Sequence, residues 1–511
     1  MAMNLDPRSI PETIHDLIDF ADRTRTAVIV PEKGLRVSYD ALDRQVTEMA
    51  SVLAATGIRR GERVAIVLPN GLPALVSFLA ASMVGTAAPL NPAYRHDEFS
   101  FFLQDTSARL VICPPTGSEE ARRAAEELSL PVLAAEMDSE GTVHVPNAPQ
   151  ATPPTLSLPQ DVALVLHTSG STGRPKRVPL EHANLTLSAR NIMATYRLTP
   201  EDVSLCIMPL FHVHGLVASV LATFASGGSV VVPGRFDALS FWRNVIEYRV
   251  SWYSGVPTMH QLLLARAHGK GKPPGAECLR FIRSCSTPLS VEVIHKLEAE
   301  FGVPVVEAYG MTEAAHQMSS NPLPPEERRP GSVGKPQGIE ISVMGAKGVH
   351  MQHSHRGEIV IRGLSVFRGY ENNPEANESA FVDTWFRTGD EGFLDSHGYL
   401  HITGRIKELI NRAGEKISPR EIDKVLLSHP AVSAAVTFGF PHATLGEEVA
   451  AAVTLNEPRS EEELLAWCRE RLAEFKCPKK LYIVESIPQT ATGKIRRGAV
   501  AAAILKGEAP S

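Results

Sequence analysis

Residues 162–176 read VALVLHTSGSTGRPK, and this stretch decides the fold. Its first part, Val162–His167, is an apolar, valine- and leucine-rich run, the pattern of a buried strand. The rest, His167-Thr168-Ser169-Gly170-Ser171-Thr172-Gly173-Arg174-Pro175-Lys176, concentrates glycine and hydroxyl residues and ends on a lysine. Glycines let the main chain wrap closely around an anion, hydroxyls donate hydrogen bonds, and the lysine adds charge. That is phosphate-binding chemistry. It does not match the G-x-x-x-x-G-K-[ST] loop, and residue types alone leave a flexible surface loop as an alternative. A helical stretch is expected to follow.

Outward from this loop, residues 60 to 320 alternate short apolar runs with helical patterns. Val64–Leu68, Leu110–Cys113, Ser204–Met208, Ser229–Val232 and Leu279–Arg283 are candidate strands, and Leu239–Tyr248 and Val291–Phe301 are candidate helices. That rhythm implies layered α/β sheets, largely parallel. From about 330 to 402, glycine-rich turns separate short strands such as GEIVIRG and GYLHITG, the texture of a β-rich subdomain. A boundary is expected at Gly404, giving a large domain of residues 1–403 and a small α+β domain of 404–511. In the small domain, Ser460-Glu461-Glu462-Glu463 forms a capping box that opens a helix with Leu464, Leu465, Cys468, Leu472 and Phe475 on or near one face. Pro146–Pro159 reads as an exposed connector.

The chain of 511 residues suggests two to four folding units at roughly 150 residues each. A formal charge of -6 argues against nucleic acid as the main partner, because phosphate-backbone binding needs excess lysine and arginine. Six scattered cysteines without C-x-x-C spacing read as reduced thiols of a cytoplasmic protein. Neither a signal-peptide pattern nor a terminal S-K-L is seen. Gly71–Tyr94 carries no charge, yet Pro73, Gly85 and Pro89 interrupt it, so a buried helix, a turn and a strand fit better than a membrane span. Leu205–Val232 reads the same way. His350, His353 and His355 lie close together without companion ligands, and an exposed hairpin turn is expected there.

Four further motifs follow the phosphate loop: Tyr309-Gly310-Met311-Thr312-Glu313, Trp385-Phe386-Arg387-Thr388-Gly389-Asp390, Gly404-Arg405-Ile406-Lys407-Glu408, and Pro488-Gln489-Thr490-Ala491-Thr492-Gly493-Lys494. In this order they resemble the signature motifs of the adenylate-forming superfamily, which contains acyl-CoA synthetases, luciferases and nonribosomal-peptide adenylation domains. The resemblance implies an acyl-CoA synthetase using ATP, Mg²⁺ and CoA. It implies that Thr168, Ser169, Gly170, Ser171, Thr172, Gly173 and Lys176 surround the phosphates and that Thr312 and Glu313 serve phosphate and metal. By the same resemblance, Tyr309 and Gly310 lie at the adenine, Asp390 and Arg405 at the ribose, and Lys494 at the reacting carboxylate. Lys407 matches the hinge of a mobile small domain, and Gly414, Glu415 and Lys416 the region that meets the thiol. One departure is Arg177, where many relatives carry glycine; little harm to phosphate binding is expected from it.

The segments matching the acyl pocket are polar: His212 and His214, Ser284 and Ser286 beside Arg283, and His316. Histidines, an arginine and serines around a small pocket suit a second carboxylate or a carbonyl. PLFHVHGL, FIRSCS and MTEAAHQMSSNPLP are similar to the oxalate–CoA ligase branch, which implies oxalate as substrate. A short or medium fatty acid or a coumarate-type acid is the alternative. A non-catalytic nucleotide-binding protein of the same fold and a carrier-protein-loading enzyme are alternatives of other classes. Oligomeric state is not legible.

Overall fold

Val64 and Ile66 face one hydrophobic core while Ala65 and Val67 face another, and Leu110 and Ile112 divide from Val111 and Cys113 in the same way. A strand with both faces buried has no polar side, which is why these runs read as continuous apolar stretches. The computed structural model describes residues 11–168, 175–267, 269–345, 348–413, 415–442, 444–490 and 495–508. Among them a six-stranded sheet runs in the order Lys176–Glu181, Val162–Thr168, Thr86–Pro89, Arg63–Ile66, Ala108–Cys113, Val132–Ala134. Its outer face is covered by the helices His96–Asp105 and Glu119–Glu127.

A nine-stranded sheet divides its residues similarly. Val28, Val230, Trp252 and Phe281 enter the central core, and Ile29, Val231, Tyr253 and Ile282 enter a second core under the helices Phe241–Glu247, Pro257–Ala267 and Val291–Phe301. Its central strands Trp252–Gly255, Phe281–Ser284 and Val305–Met311 are parallel neighbours. Between the two sheets lie Tyr39–Ala55, Leu72–Val84, His182–Tyr196 and His214–Ala225. The uncharged segment thus supplies an interlayer helix, Leu72–Val84, whose 13 residues are all but one buried. At 1.5 Å per residue it is about 20 Å long, short of a bilayer core of about 30 Å. Among the described residues no helix is long and apolar enough to cross a membrane.

The stretch after the phosphate loop differs from expectation. It is a strand, Lys176–Glu181, which pairs antiparallel with Val162–Thr168 and sets Lys176 opposite Thr168. Val178 and Leu180 are buried at alternate positions, a period of two that outranks the helical signal further on. Pro179 is tolerated because the strand lies at the sheet edge. The helix begins only at His182.

The β-rich unit is a five-stranded sheet built from Glu340–Met344, Gly357–Arg362, Phe381–Val382, Trp385–Leu394 and Leu400–Arg405. Its last strand carries Gly404 and Arg405. A second five-stranded sheet, of Ile410–Arg412, Glu415–Ile417, Val432–His442, Gly446–Leu455 and Lys480–Ile483, forms the small domain. Its faces again bury alternate residues, Val449 and Ala451 under one set of helices, Ala450 and Ala452 under the last helix. Ser460 caps Glu461–Arg469 by accepting from the Glu463 amide, one half of the expected capping box, but Leu472 and Phe475 lie beyond that helix and Phe475 is exposed. The two domains touch where Ser418 Oγ donates to the Thr403 carbonyl at 2.5 Å.

Candidate active site

The parallel strands Trp252–Gly255, Phe281–Ser284 and Val305–Met311 end side by side, and the polar residues gather beyond their carboxyl ends, where α/β sheets place ligands. The third strand bulges between Tyr309 and Gly310. A Cβ on Gly310 would lie 1.9 Å from the His316 carbonyl oxygen, so only glycine lets the returning strand approach. Between them the chain makes a tight turn over Thr312–Ala314. Ala315 (φ 50°), His316 (φ 109°) and Ser286 (φ 75°) all occupy the left-handed region. Such strain costs about 1–3 kcal/mol per residue and collects at binding sites.

The motif residues expected at the nucleoside, Tyr309, Asp390 and Arg405, come together. Antiparallel register sets Asp390 opposite Arg405. The Asp390 carboxylate is buried and accepts from Tyr309 Oη at 2.5 Å and from Arg405 Nε at 3.0 Å. Burial, then the adjacent Asp390 charge, pushes the Tyr309 phenol well above its ordinary range, so it is a hydrogen donor at every working pH. Asp390 in turn raises the Arg405 guanidinium further.

Thr312 and Glu313 are buried in the turn. Glu313 Oε1 accepts from Tyr370 Oη at 2.8 Å, and the Lys176 ammonium lies 4.5 Å from the Tyr370 ring centroid. Burial and then the Lys407 charge lower Lys176, and Glu313 opposes them. Lys176, Lys407 and Glu313 therefore share one electrostatic neighbourhood. Ser169, Gly170, Ser171, Thr172 and Gly173 lie outside the described residues, as do Lys494 and Gly414. Glu415 and Lys416 are exposed on the edge strand of the small domain.

The acyl-side residues form a buried polar network. His214 begins a helical segment, His214–Leu221, with the wide turn that recurs at functional sites. Its Nδ1 is 3.0 Å from Ser286 Oγ and its Nε2 2.6 Å from Ser254 Oγ. Arg283, wholly buried, donates to Tyr196 Oη (2.9 Å), Ser254 Oγ (3.0 Å) and Gln317 Oε1 (3.1 Å), and its Nη2 is 3.5 Å from His316 Nδ1. The His214 and His316 rings stand 5.2 Å apart. His212 Nδ1 accepts from the His214 amide at 3.2 Å, so that ring turns back toward its own chain. Ser284 Oγ is buried without a hydrogen-bond partner among the described residues.

Sequence reasoning did not assign Tyr370, Ser254, Tyr196 or Gln317, and it read Arg283 only as one polar group of the acyl pocket. Arg283 did leave a signal, a charge in the middle of an apolar strand. The others sit in separate segments without a motif. Arg177, where many relatives carry glycine, is buried opposite His167, bonds the Asp105 carbonyl, and lies 3.5 Å from Glu371. His167 Nε2 meets Asp105 Oδ2 at 2.9 Å. Charge thus ties both stems of the phosphate loop to neighbouring elements. His350 bonds Ser342 at 2.7 Å and packs on Trp385, and no group of three metal-ligating side chains occurs among the described residues.

Residues 19–371 match the AMP-binding enzyme family and residues 421–494 its C-terminal domain. The chain is 45% identical over 480 residues to an oxalate–CoA ligase of Arabidopsis thaliana, covering 92% of this chain and 93% of the relative. It is 41% identical over 537 residues to an oxalate–CoA ligase of Saccharomyces cerevisiae, covering 98% of each. Among solved structures, ATP-bound MatB from Rhodopseudomonas palustris matches at TM-score 0.87 and 30% identity, over 96% of this chain and 98% of that one. The apo form of the same protein matches at 0.77, with the same identity and coverage. The chain belongs to the AMP-binding enzyme family, with a large N-terminal and a smaller C-terminal domain. Within it, the chain is an acyl-CoA synthetase, an AMP-forming acid–thiol ligase that uses ATP and CoA.

Proposed function

We propose that this enzyme is an oxalate–CoA ligase. A carboxylate is a poor acyl donor, so one oxalate oxygen attacks the ATP α-phosphorus, the bond to the β-phosphate oxygen breaks, and pyrophosphate leaves. The CoA thiolate then attacks the oxalyl-adenylate carbonyl and expels AMP. Charge accumulates on phosphate oxygens in the first step, so positioning and electrostatics supply most of the catalysis.

In this reading Tyr309 and Gly310 border the adenine, and Asp390, supported by Arg405, accepts from the ribose hydroxyls. Thr168, Lys176 and the loop 169–173 hold the terminal phosphates. Thr312 and Glu313 offer a buried, all-oxygen donor set, which suits the hard Mg²⁺ ion. When bound, that ion would neutralise phosphate charge. Lys494 would do the same at the reacting carboxylate. The division is placed at 403/404, with Lys407 as the hinge. After the first step the small domain would swing so that Gly414, Glu415 and Lys416 approach the thiol. The two TM-scores against one relative, ATP-bound and apo, support such a movement.

The observation that carries oxalate is the polar lining. A pocket for an alkyl or aryl chain is walled by apolar side chains. Here His214, Ser286, His316 and the wholly buried Arg283 converge instead. Ser286, His316 and His214 would hold the distal carboxylate, with Ser284 and His212 beside them. The test is CoA-dependent AMP release with oxalate, malonate, acetate, octanoate and coumarate. Oxalate is expected to exceed the others in kcat/KM. A preference for octanoate or coumarate would refute the substrate and leave the enzyme class standing.

A further inference from the structure

Successive residues of a strand point to opposite faces of its sheet. On the strand Lys176–Glu181, the Arg177 side chain turns outward to Asp105, the last residue of the helix His96–Asp105, while Lys176 turns inward to the Tyr370 ring. Arg177 Nε is 3.4 Å from Asp105 Oδ2, and its Nη1 reaches both the Asp105 carbonyl and, at 3.5 Å, Glu371 Oε2. Arg63 donates to Glu371 Oε1, and its Nη1 donates to the Thr106 carbonyl at 2.7 Å. Arg63, Arg177, Asp105 and Glu371 thus form a charge-balanced cluster, and Arg177 is its buried member. The cluster has two routes to the site. One is the single peptide unit from Arg177 back to Lys176. The other is segment 367–371. At one end the Glu371 amide donates to the Arg177 carbonyl at 3.2 Å, and at the other the Phe367 amide donates to the Glu313 carbonyl at 2.8 Å. Between them Tyr370 donates to Glu313 Oε1 at 2.8 Å, and its ring centroid lies 4.5 Å from the Lys176 ammonium.

We infer that Arg177 is a positioning residue for the phosphate end of the nucleotide site: its ion pairs fix the direction of Lys176 and, through Glu371, the seat of Tyr370 against Glu313. The inference rests on the reading of Lys176 and Glu313 as phosphate and metal residues, and deepens it. The strand Lys176–Glu181 lies at the sheet edge and is laddered on one side only, so its main chain alone opposes rotation about the strand axis weakly. A guanidinium fork held by carboxylates from two separate elements opposes it strongly. Rotation would swing Lys176 off Tyr370 and carry its charge away from the terminal phosphates. Loss of Arg177 would also leave Asp105 and Glu371 short of a partner, so the disturbance passes along the cluster to Tyr370 instead of ending at one contact. Glycine, which many relatives carry at this position, can make the main-chain bond to Glu371 but no ion pair. The nucleoside residues Tyr309, Asp390 and Arg405 hold one another through separate hydrogen bonds. The cluster therefore bears on the phosphates and not on the nucleoside.

The test is equilibrium binding of ATP and of AMP to the full chain in the presence of Mg²⁺. AMP lacks the β- and γ-phosphates, so the ratio of the two dissociation constants isolates the phosphate end, and a general loss of folded protein does not move it. Arg177→Met should raise the Kd for ATP at least about fivefold and that for AMP less than about twofold. Arg177→Lys, which restores the charge without the fork, should recover part of the loss. Glu371→Gln keeps the shape and the main-chain bond while removing the charge. It should shift the ratio in the same direction by at least about threefold, and it carries the test if Arg177→Met does not fold. A ratio within about twofold of wild type in a folded Arg177→Met, or in Glu371→Gln where that variant carries the test, overturns the inference. Equal weakening of ATP and AMP overturns it too. Lys176→Met checks the reading beneath it. If that variant binds ATP as wild type does, Lys176 is not a phosphate residue and the inference falls with the reading. If it weakens ATP while Arg177→Met does not, the reading stands and the inference alone falls.

Discussion

Asp390→Asn replaces a carboxylate by an amide of the same shape and so isolates its charge. Both neighbours of Asp390 are donors, Tyr309 Oη at 2.5 Å and Arg405 Nε at 3.0 Å. An amide has one acceptor oxygen, and its NH₂ must face one of these donors or the ribose. The Arg405 side chain is 41% exposed, so water compensates much of what that pair loses, and folding should suffer by less than about 1 kcal/mol. The bound nucleotide has no such compensation. Losing a hydrogen bond to a buried charged acceptor costs about 1.5–3 kcal/mol, or about tenfold to 150-fold in affinity. Asp390→Asn should therefore raise the KM for ATP by that factor, with a much smaller effect on the KM for the acid. ATP–pyrophosphate exchange measured against ATP concentration reads this directly. A KM for ATP within threefold of wild type would refute the assignment of Asp390 to the ribose.

Lys494→Gln should reduce adenylate formation by at least 10²-fold while leaving CoA-dependent consumption of supplied oxalyl-adenylate within about threefold, as judged by single-turnover assays. Gly310→Ala places a Cβ against the His316 carbonyl. The resulting overpacking should cost about 1–3 kcal/mol, visible as a lower urea midpoint, together with a larger loss of activity than of ATP binding. Burial pushes the Glu307 carboxyl up to about 8. The folded state then holds a proton that the unfolded state releases near pH 4–5, so this group's contribution to stability falls as pH rises from about 4.5 to about 8. Glu307→Gln should flatten Tm against pH across that window, and an unchanged slope would contradict it. His260 is wholly buried and depressed to about 4, which gives the opposite sign. Its contribution is lost as pH falls from about 6.5 toward 4, and a neutral replacement such as His260→Gln should remove that acid limb from the Tm profile.

Strands whose two faces are both buried were readable because they form unbroken apolar runs, as in Val162–Leu166 and Leu110–Cys113. The helix Val291–Phe301 was readable to the residue, since its apolar positions recur at helical spacing and Ser290 caps it. The strand Lys176–Glu181 was not, because six residues including a proline and two cations carry little periodic signal, and only pairing with Val162–Thr168 stabilises them. The residues proposed for the nucleotide lie in ordered motifs that the sequence displays directly. Tyr370 and Ser254 do not, since each is a single polar residue in a segment with no pattern of its own.

Local order along the chain determined the family, the layered α/β class and the motif residues proposed to face the nucleotide. Those features rest on short segments whose chemistry is continuous in sequence. Only the tertiary structure decided that Arg283, Ser254, His214, Ser286 and His316 form one network. These residues come from the ends of separate strands and from a helix, up to 102 positions apart. A hydrogen-bond network is a property of which groups meet, and no residue in that chain carries it alone.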